Sequence, residues 1–108
     1  MNREKYETGR MSLNTIGYSD DGRYLYFMQF EGEQPAYSNG ATTVESRRWA
    51  EVLGIDNLIS VSSGGSTTMV IADRHGNPQV LNRPTHLNIP AFERPEAFHM
   101  GLYAKPLP

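Results

Sequence analysis

The chain contains no cysteine. That absence removes disulfides, cysteine-ligated zinc, iron–sulfur clusters and thiol nucleophiles together, and it is compatible with a reducing compartment. No apolar run approaches the ~20 residues that cross a bilayer. The opening segment MNREKYETGRM is polar and charged, without the apolar stretch of a signal peptide. The location expected from these features is the cytoplasm. Charge of neither sign dominates: ten basic residues face twelve acidic ones among 108, for a net charge of −2. The basic residues are scattered, so a nucleic-acid partner is not expected, and no run of Asp and Glu is present that would imitate DNA. There is no internal repeat, interdomain linker or low-complexity segment. One domain over residues 1–108 is therefore expected, with residues 1–8 as a frayed lead-in.

Turn formers are plentiful, with ten glycines and seven prolines. In GRMSLNTIGY, apolar residues recur at Met11, Leu13, Ile16 and Tyr18. The alternation slips between Leu13 and Ile16, which predicts a strand with a bulge near Asn14–Thr15. SDDG at 19–22 reads as a tight turn. RYLYFMQFE follows, with Tyr24, Tyr26, Met28 and Phe30 on one face and Leu25 and Phe27 on the other. Both faces are apolar, so this segment is expected to be a central strand.

TTVESRRWAEVLG carries the signals of a helix. Thr42 and Glu45 have capping-box spacing, and Gly54 suits the left-handed end position, followed by the apolar Ile55. Trp49, Val52 and Leu53 form the stripe expected to be buried, and Arg47 and Glu51 are spaced to pair on the wet side. Beyond it, NLISVS, TTMVIAD and PQVLN read as strands joined by SSGGS and DRHGNP. The fold class expected is α+β: a single small domain with an antiparallel sheet of four or five strands and one helix, in the order β-β-α-β-β-β. Residues 83–108 hold five of the seven prolines together with Leu87, Ile89, Phe92, Phe98, Leu102 and Tyr103. They read as a Pro-rich C-terminal arm with a helical turn from Pro95 to Met100. The arm either completes its own core or crosses to a second subunit as part of a homodimer.

SSGGST invites comparison with a phosphate-binding loop. Such a loop needs a lysine and a following helix whose amides face the anion. Here no lysine is present, and TMVIA favours a strand, so a hairpin tip between two strands is expected. For the same reason the loop is not the nucleophile elbow of a hydrolase.

The three histidines, His75, His86 and His99, are spaced by 11 and 13 residues, which matches no common metal motif. No metal site and no cofactor are expected. Glu31 and Glu33 flank a glycine, and Asp20 and Asp21 sit in a turn; such loop carboxylates are ordinarily solvated.

Three functional readings stand beside one another. The first is a non-enzymatic binding protein acting stoichiometrically on another protein, as phage and mobile-element inhibitors of host defence systems do. Its surface would comprise Tyr24, Tyr26, Tyr37, Arg47 and Arg48, since tyrosine and arginine favour protein recognition. The second is an oligomeric domain that sequesters a nucleotide-like ligand with Ser63, Gly64, Gly65, Ser66, Arg74 and His75. The third is a small enzyme in which Asp73 orients His75 for acid–base work.

Overall fold

The computed structural model describes residues 9–108, and the expected lead-in at residues 1–8 lies outside them. The centre of the fold is a three-stranded antiparallel sheet of β1 (Leu13–Tyr18), β2 (Leu25–Phe30) and β3 (Asn57–Ser63) in the order β2-β1-β3. One helix, α1 (Thr43–Leu53), lies between β2 and β3 in the chain. Two short hairpins follow: β4 (Val70–Ala72) with β5 (Pro78–Val80), and β6 (Thr85–His86) with β7 (Ile89–Pro90). The molecule is a small α+β domain, with its antiparallel pairing split among three sheets instead of gathered into one.

The first hairpin forms where turn chemistry demands it. Ser19 and Tyr24 close the loop, Gly22 N–H donates to the Ser19 carbonyl, and the Asp21 carboxylate accepts from both the Ser19 hydroxyl and the Arg23 N–H. The expected irregularity in β1 is present: its register with β3 shifts between Asn14 and Thr15, while its register with β2 runs unbroken from Leu13↔Phe30 to Tyr18↔Leu25. The expectation that β2 is central is corrected. β1 is central, and β2 lies at the edge. A doubly apolar pattern marks a strand with both faces buried only when both faces are in fact covered. In β2 the side holding Tyr26, Met28 and Phe30 is half-buried, whereas Leu25 and Phe27 are exposed. The Leu25–Phe27 side is thus the open one.

α1 has the ends its sequence encodes. The Thr42 hydroxyl accepts from Glu45 N–H at 3.1 Å, and Glu45 Oε2 accepts from Thr42 N–H at 3.0 Å, completing the capping box. At the other end Gly54 takes φ 76°, and Ile55 N–H reaches the Ala50 carbonyl at 2.9 Å. Arg47 and Glu51 approach to 3.7 Å on the solvent side. The buried stripe, however, consists of Ser46 and Ala50. Trp49, Val52 and Leu53 are 55%, 78% and 50% exposed, so the expected apolar stripe is corrected. Small residues let the helix approach closely, and Ile55, just past its end, drives into the core against Gly17, where a Cβ would lie 2.4 Å from the Ile55 Cγ2.

SSGGS is not a hairpin tip joining β3 to β4. β3 pairs with β1, and β4 pairs with β5. Between them Gly64–Ser66 form a single 3₁₀ turn, closed by Thr67 N–H to the Gly64 carbonyl and anchored by Gly64 N–H to the Ser12 carbonyl. Asn82 holds the exit, donating to the Thr67 carbonyl and accepting from Met69 N–H. DRHGNP does make a hairpin turn, between β4 and β5. The arm divides in two. Residues 84–92 fold into the β6–β7 hairpin, with Ala91 N–H bonded to the Pro84 carbonyl. Residues 97–108 are exposed along their whole length, and no helical turn forms from Pro95 to Met100.

Candidate functional site

The 3₁₀ turn at Gly64–Ser66 lies at the junction of three sequence-distant segments. Its hydroxyl, Ser66 Oγ, donates to Glu96 Oε1 at 2.6 Å and accepts from Arg94 Nη1 at 3.2 Å. Arg94 Nε in turn donates to His86 Nδ1 at 3.1 Å and stands 3.9 Å from Glu96. The His86 ring is held against Phe92, with centroids 5.3 Å apart. A carboxylate, an imidazole and a hydroxyl thus fix one guanidinium in place.

Two adjacent glycines allow this assembly. Gly65 is buried, and a Cβ there would lie 2.7 Å from Arg94 Nη2 and 2.8 Å from its Cζ. Only hydrogen leaves room for the guanidinium to lie across the backbone. Gly64 has φ 60° and faces Glu33, whose carboxylate oxygens lie 3.5 and 3.8 Å from the position a Cβ would take. Arg94 and Glu33 therefore flank consecutive residues of one turn. Glu33 itself has φ 58°, a left-handed conformation that side-chain-bearing residues adopt at a cost and that recurs at functional sites. Its carboxylate makes no hydrogen bond or ion pair to another described residue.

Glu33 also borders a cleft of about 640 Å³, which Arg10, Tyr37, Arg83, Thr85 and Asn88 line in part. Arg83 lies over the Tyr37 ring, 4.7 Å from its centroid. The Glu31 carboxylate, beside the Tyr37 phenol, holds that phenol above its ordinary pKa; burial adds to the shift and Arg83 opposes it. Glu31 also accepts from Arg83 N–H, and Gln34 Nε2 donates to the Arg83 carbonyl at 2.8 Å. Arg10 is committed elsewhere, to Glu45 and to the Gly40 carbonyl. Two polar atoms of the lining, Gln34 Oε1 and Thr85 Oγ1, are buried without a partner among the described residues.

Of the ligand-binding residues expected from sequence, Ser63 to Ser66 come together as the turn, while Arg74 and His75 do not join them. Those two sit at the tip of the β4–β5 hairpin, where Arg74 Nε donates to His75 Nε2 at 3.1 Å. The Asp73–His75 relay is corrected as well. The Asp73 carboxylate accepts from the backbone N–H groups of His75 and Asn77 at 2.8 and 2.9 Å, which shapes the turn and does not orient the imidazole. These bonds, led by that from Asn77, hold the Asp73 carboxyl below its ordinary range. Of the protein-binding set, Tyr24, Tyr37, Arg47 and Arg48 are exposed, and Tyr26 is half-buried. Among the described residues no group of three or more acidic, histidine or cysteine side chains is placed to hold a metal ion. No helix among them is long and apolar enough to cross a membrane.

Sequence reading missed Arg94, His86 and Glu96 as partners of the turn, because the contact joins segments about 20 to 30 residues apart with no shared period. Glu33 was visible only as a loop carboxylate beside a glycine.

The model of the phosphodiester glycosidase family matches residues 2–103, so the chain belongs to that family. The match points toward enzymatic activity and away from the non-enzymatic role expected from sequence. No curated protein and no solved structure matches the chain.

Proposed function

We propose that the protein hydrolyses the glycosidic bond of a sugar joined through its anomeric carbon to a phosphodiester. The observation that carries this reading is the two-glycine turn flanked by a fixed guanidinium, Arg94, and an unpaired carboxylate, Glu33. Membership in the phosphodiester glycosidase family supports the same class of bond. A guanidinium braced on three sides is suited to a phosphate oxyanion, since its planar fork meets two oxygens at once. Arg83, on the cleft wall, adds positive potential.

In the reaction, water attacks the anomeric carbon, and the bond from that carbon to the bridging oxygen breaks. The oxygen leaves with its electron pair as part of a phosphomonoester, and the water proton passes to the Glu33 carboxylate. Arg94 stabilises the charge that develops on the departing phosphate, and Glu33 acts as the base. Phosphate is a good leaving group, so the site needs less acid assistance than one that expels an ordinary sugar alcohol. The cytoplasm remains the proposed compartment.

The test uses a synthetic methyl phosphodiester of a hexose at its anomeric position, in ¹⁸O-labelled water. Release of a reducing sugar carrying the label, together with unlabelled methyl phosphate, is expected. Arg94→Ala and Glu33→Gln should each reduce the rate at least a hundredfold with the fold intact. Label in the phosphate would mean phosphoryl cleavage and would reject this chemistry.

A second reading, stoichiometric binding to another protein, is favoured by the exposure of Tyr24, Tyr37 and Arg48. It predicts that Tyr37→Ala or Arg48→Glu weakens capture of that protein at least tenfold without loss of fold.

A further inference from the structure

Residues 97–103, AFHMGLY, are solvent-exposed and take no regular secondary structure beyond a bend at Ala97, and they make no hydrogen bond to any other described residue. Phe98, Met100 and Leu102 recur at a spacing of two and are 77%, 58% and 60% exposed. A period of two places all three on one side of an extended segment. The pattern is that of a strand without a sheet.

Elsewhere the same chain has a sheet edge without a strand. Among the described residues β2 pairs on one side only, with β1, and no backbone hydrogen bond leaves Leu25–Gln29 on the other side. Edge strands are ordinarily blunted by proline, by charge or by a bulge. LYFMQF has no proline and no charged residue, and its register with β1 is unbroken. Its Leu25 and Phe27 are 50% and 40% exposed. They continue across the sheet through the directly paired Ile16↔Phe27 and Ile16↔Ile59 into one uncovered apolar face.

We propose that residues 97–103 of one copy add as a strand to the outer edge of β2 in a second copy, and that the exchange is reciprocal, giving a two-fold homodimer. The lengths agree: seven extended residues span about 23 Å and the six of β2 about 20 Å. Strand addition satisfies the free backbone groups of both partners, while alternate side chains give specificity. Phe98, Met100 and Leu102 then continue the Leu25–Phe27 face. Neither element carries Asp, Glu, Lys or Arg, so no like-charge repulsion opposes the contact. A second copy is also the partner present wherever the chain is present, and reciprocal exchange closes the assembly at two.

The full-length chain is tested by light scattering after size exclusion. The expected mass is twice 12.1 kDa. Met100→Asp and, separately, Phe27→Lys should each shift the protein to monomer with the far-ultraviolet spectrum unchanged. Because the chain has no native cysteine, a Phe27→Cys/Met100→Cys double variant treated with a short bis-maleimide reports the geometry. Bands of doubled mass are expected. A linker joining the two positions within one chain would mean that the arm folds back on its own sheet, and would overturn the exchange. A monomer at every concentration tested would overturn it too, as would a dimer that both charged variants leave intact. A Phe27→Lys variant that fails to fold leaves Met100→Asp to decide, since Met100 is 58% exposed and lies outside every strand and helix.

Discussion

Gly65 has room for a hydrogen and nothing larger. A methyl group there would stand 2.7 Å from the Arg94 guanidinium, which must then swing away from Ser66 and His86. Gly65→Ala is therefore expected to displace Arg94 and weaken the proposed binding of phosphate. Titration calorimetry with a nonhydrolysable sugar phosphonate should show at least a tenfold weaker Kd, about 1.4 kcal/mol, while the melting temperature changes little. Arg94→Lys should not rescue the site, because an ammonium cannot reproduce the planar fork. Trp49 is the opposite case. More than half exposed, it has little burial to lose. Trp49→Ala should cost less than about 1 kcal/mol, and native Trp49 fluorescence should be red-shifted and readily quenched by iodide. A blue-shifted, protected signal would return Trp49 to the core.

At the scale of elements, α1 is stabilised chiefly at its ends. Thr42→Ala removes the hydroxyl that accepts from Glu45 N–H and should cost about 1 kcal/mol in urea denaturation. The same cap makes stability depend on pH. Glu45 is held below its ordinary pKa, first by the Thr42 backbone N–H and then by the Arg10 side chain. Asp73 is held low by the turn amides, and Asp21 by the Ser19 hydroxyl and then the Arg23 N–H. A carboxyl whose pKa is depressed on folding contributes stability that is fully present above its unfolded pKa. That contribution is lost as pH falls through the lower, folded value. The urea midpoint should accordingly fall on acidification below about pH 5, and Asp73→Asn should flatten that fall. A midpoint that is flat or rising on acidification would deny these carboxylates their role.

At the scale of the whole molecule, the described monomer buries few large apolar side chains. Leu13 and Ile55, 2% and 6% exposed, are the large ones, and Ala41 and Ala50 complete the buried apolar set among the described residues. Much of the chain's apolar surface, including one face of the central sheet, remains outside. Stability should therefore depend heavily on single central residues. Leu13→Ala is expected to cost 2–5 kcal/mol or roughly that, enough to unfold a marginal domain, as read by loss of the cooperative thermal transition. A small, well-tolerated change would mean that the stabilising contacts lie elsewhere, in an assembly interface for instance.

Local chemistry settled much of this protein from sequence alone. The capping box, the glycine end of α1, the turns at 19–22 and 73–78 and the irregularity in β1 are all governed by backbone dihedrals and by bonds among residues a few positions apart. Each is legible wherever the right residues stand at the right offset. The site was only half legible for the same reason. Ser63 to Ser66 stood out as a glycine-rich loop, but Arg94, Glu96 and His86 reach it across about 20 to 30 residues, and no pattern along the chain encodes such a meeting. Tertiary structure alone decided which strand became central, which face of β2 stayed open, and that Ala50 instead of Trp49 faces the core. Apolar periodicity tells that a face can be buried. Whether it is buried depends on what the rest of the chain, or a second chain, brings to lie against it.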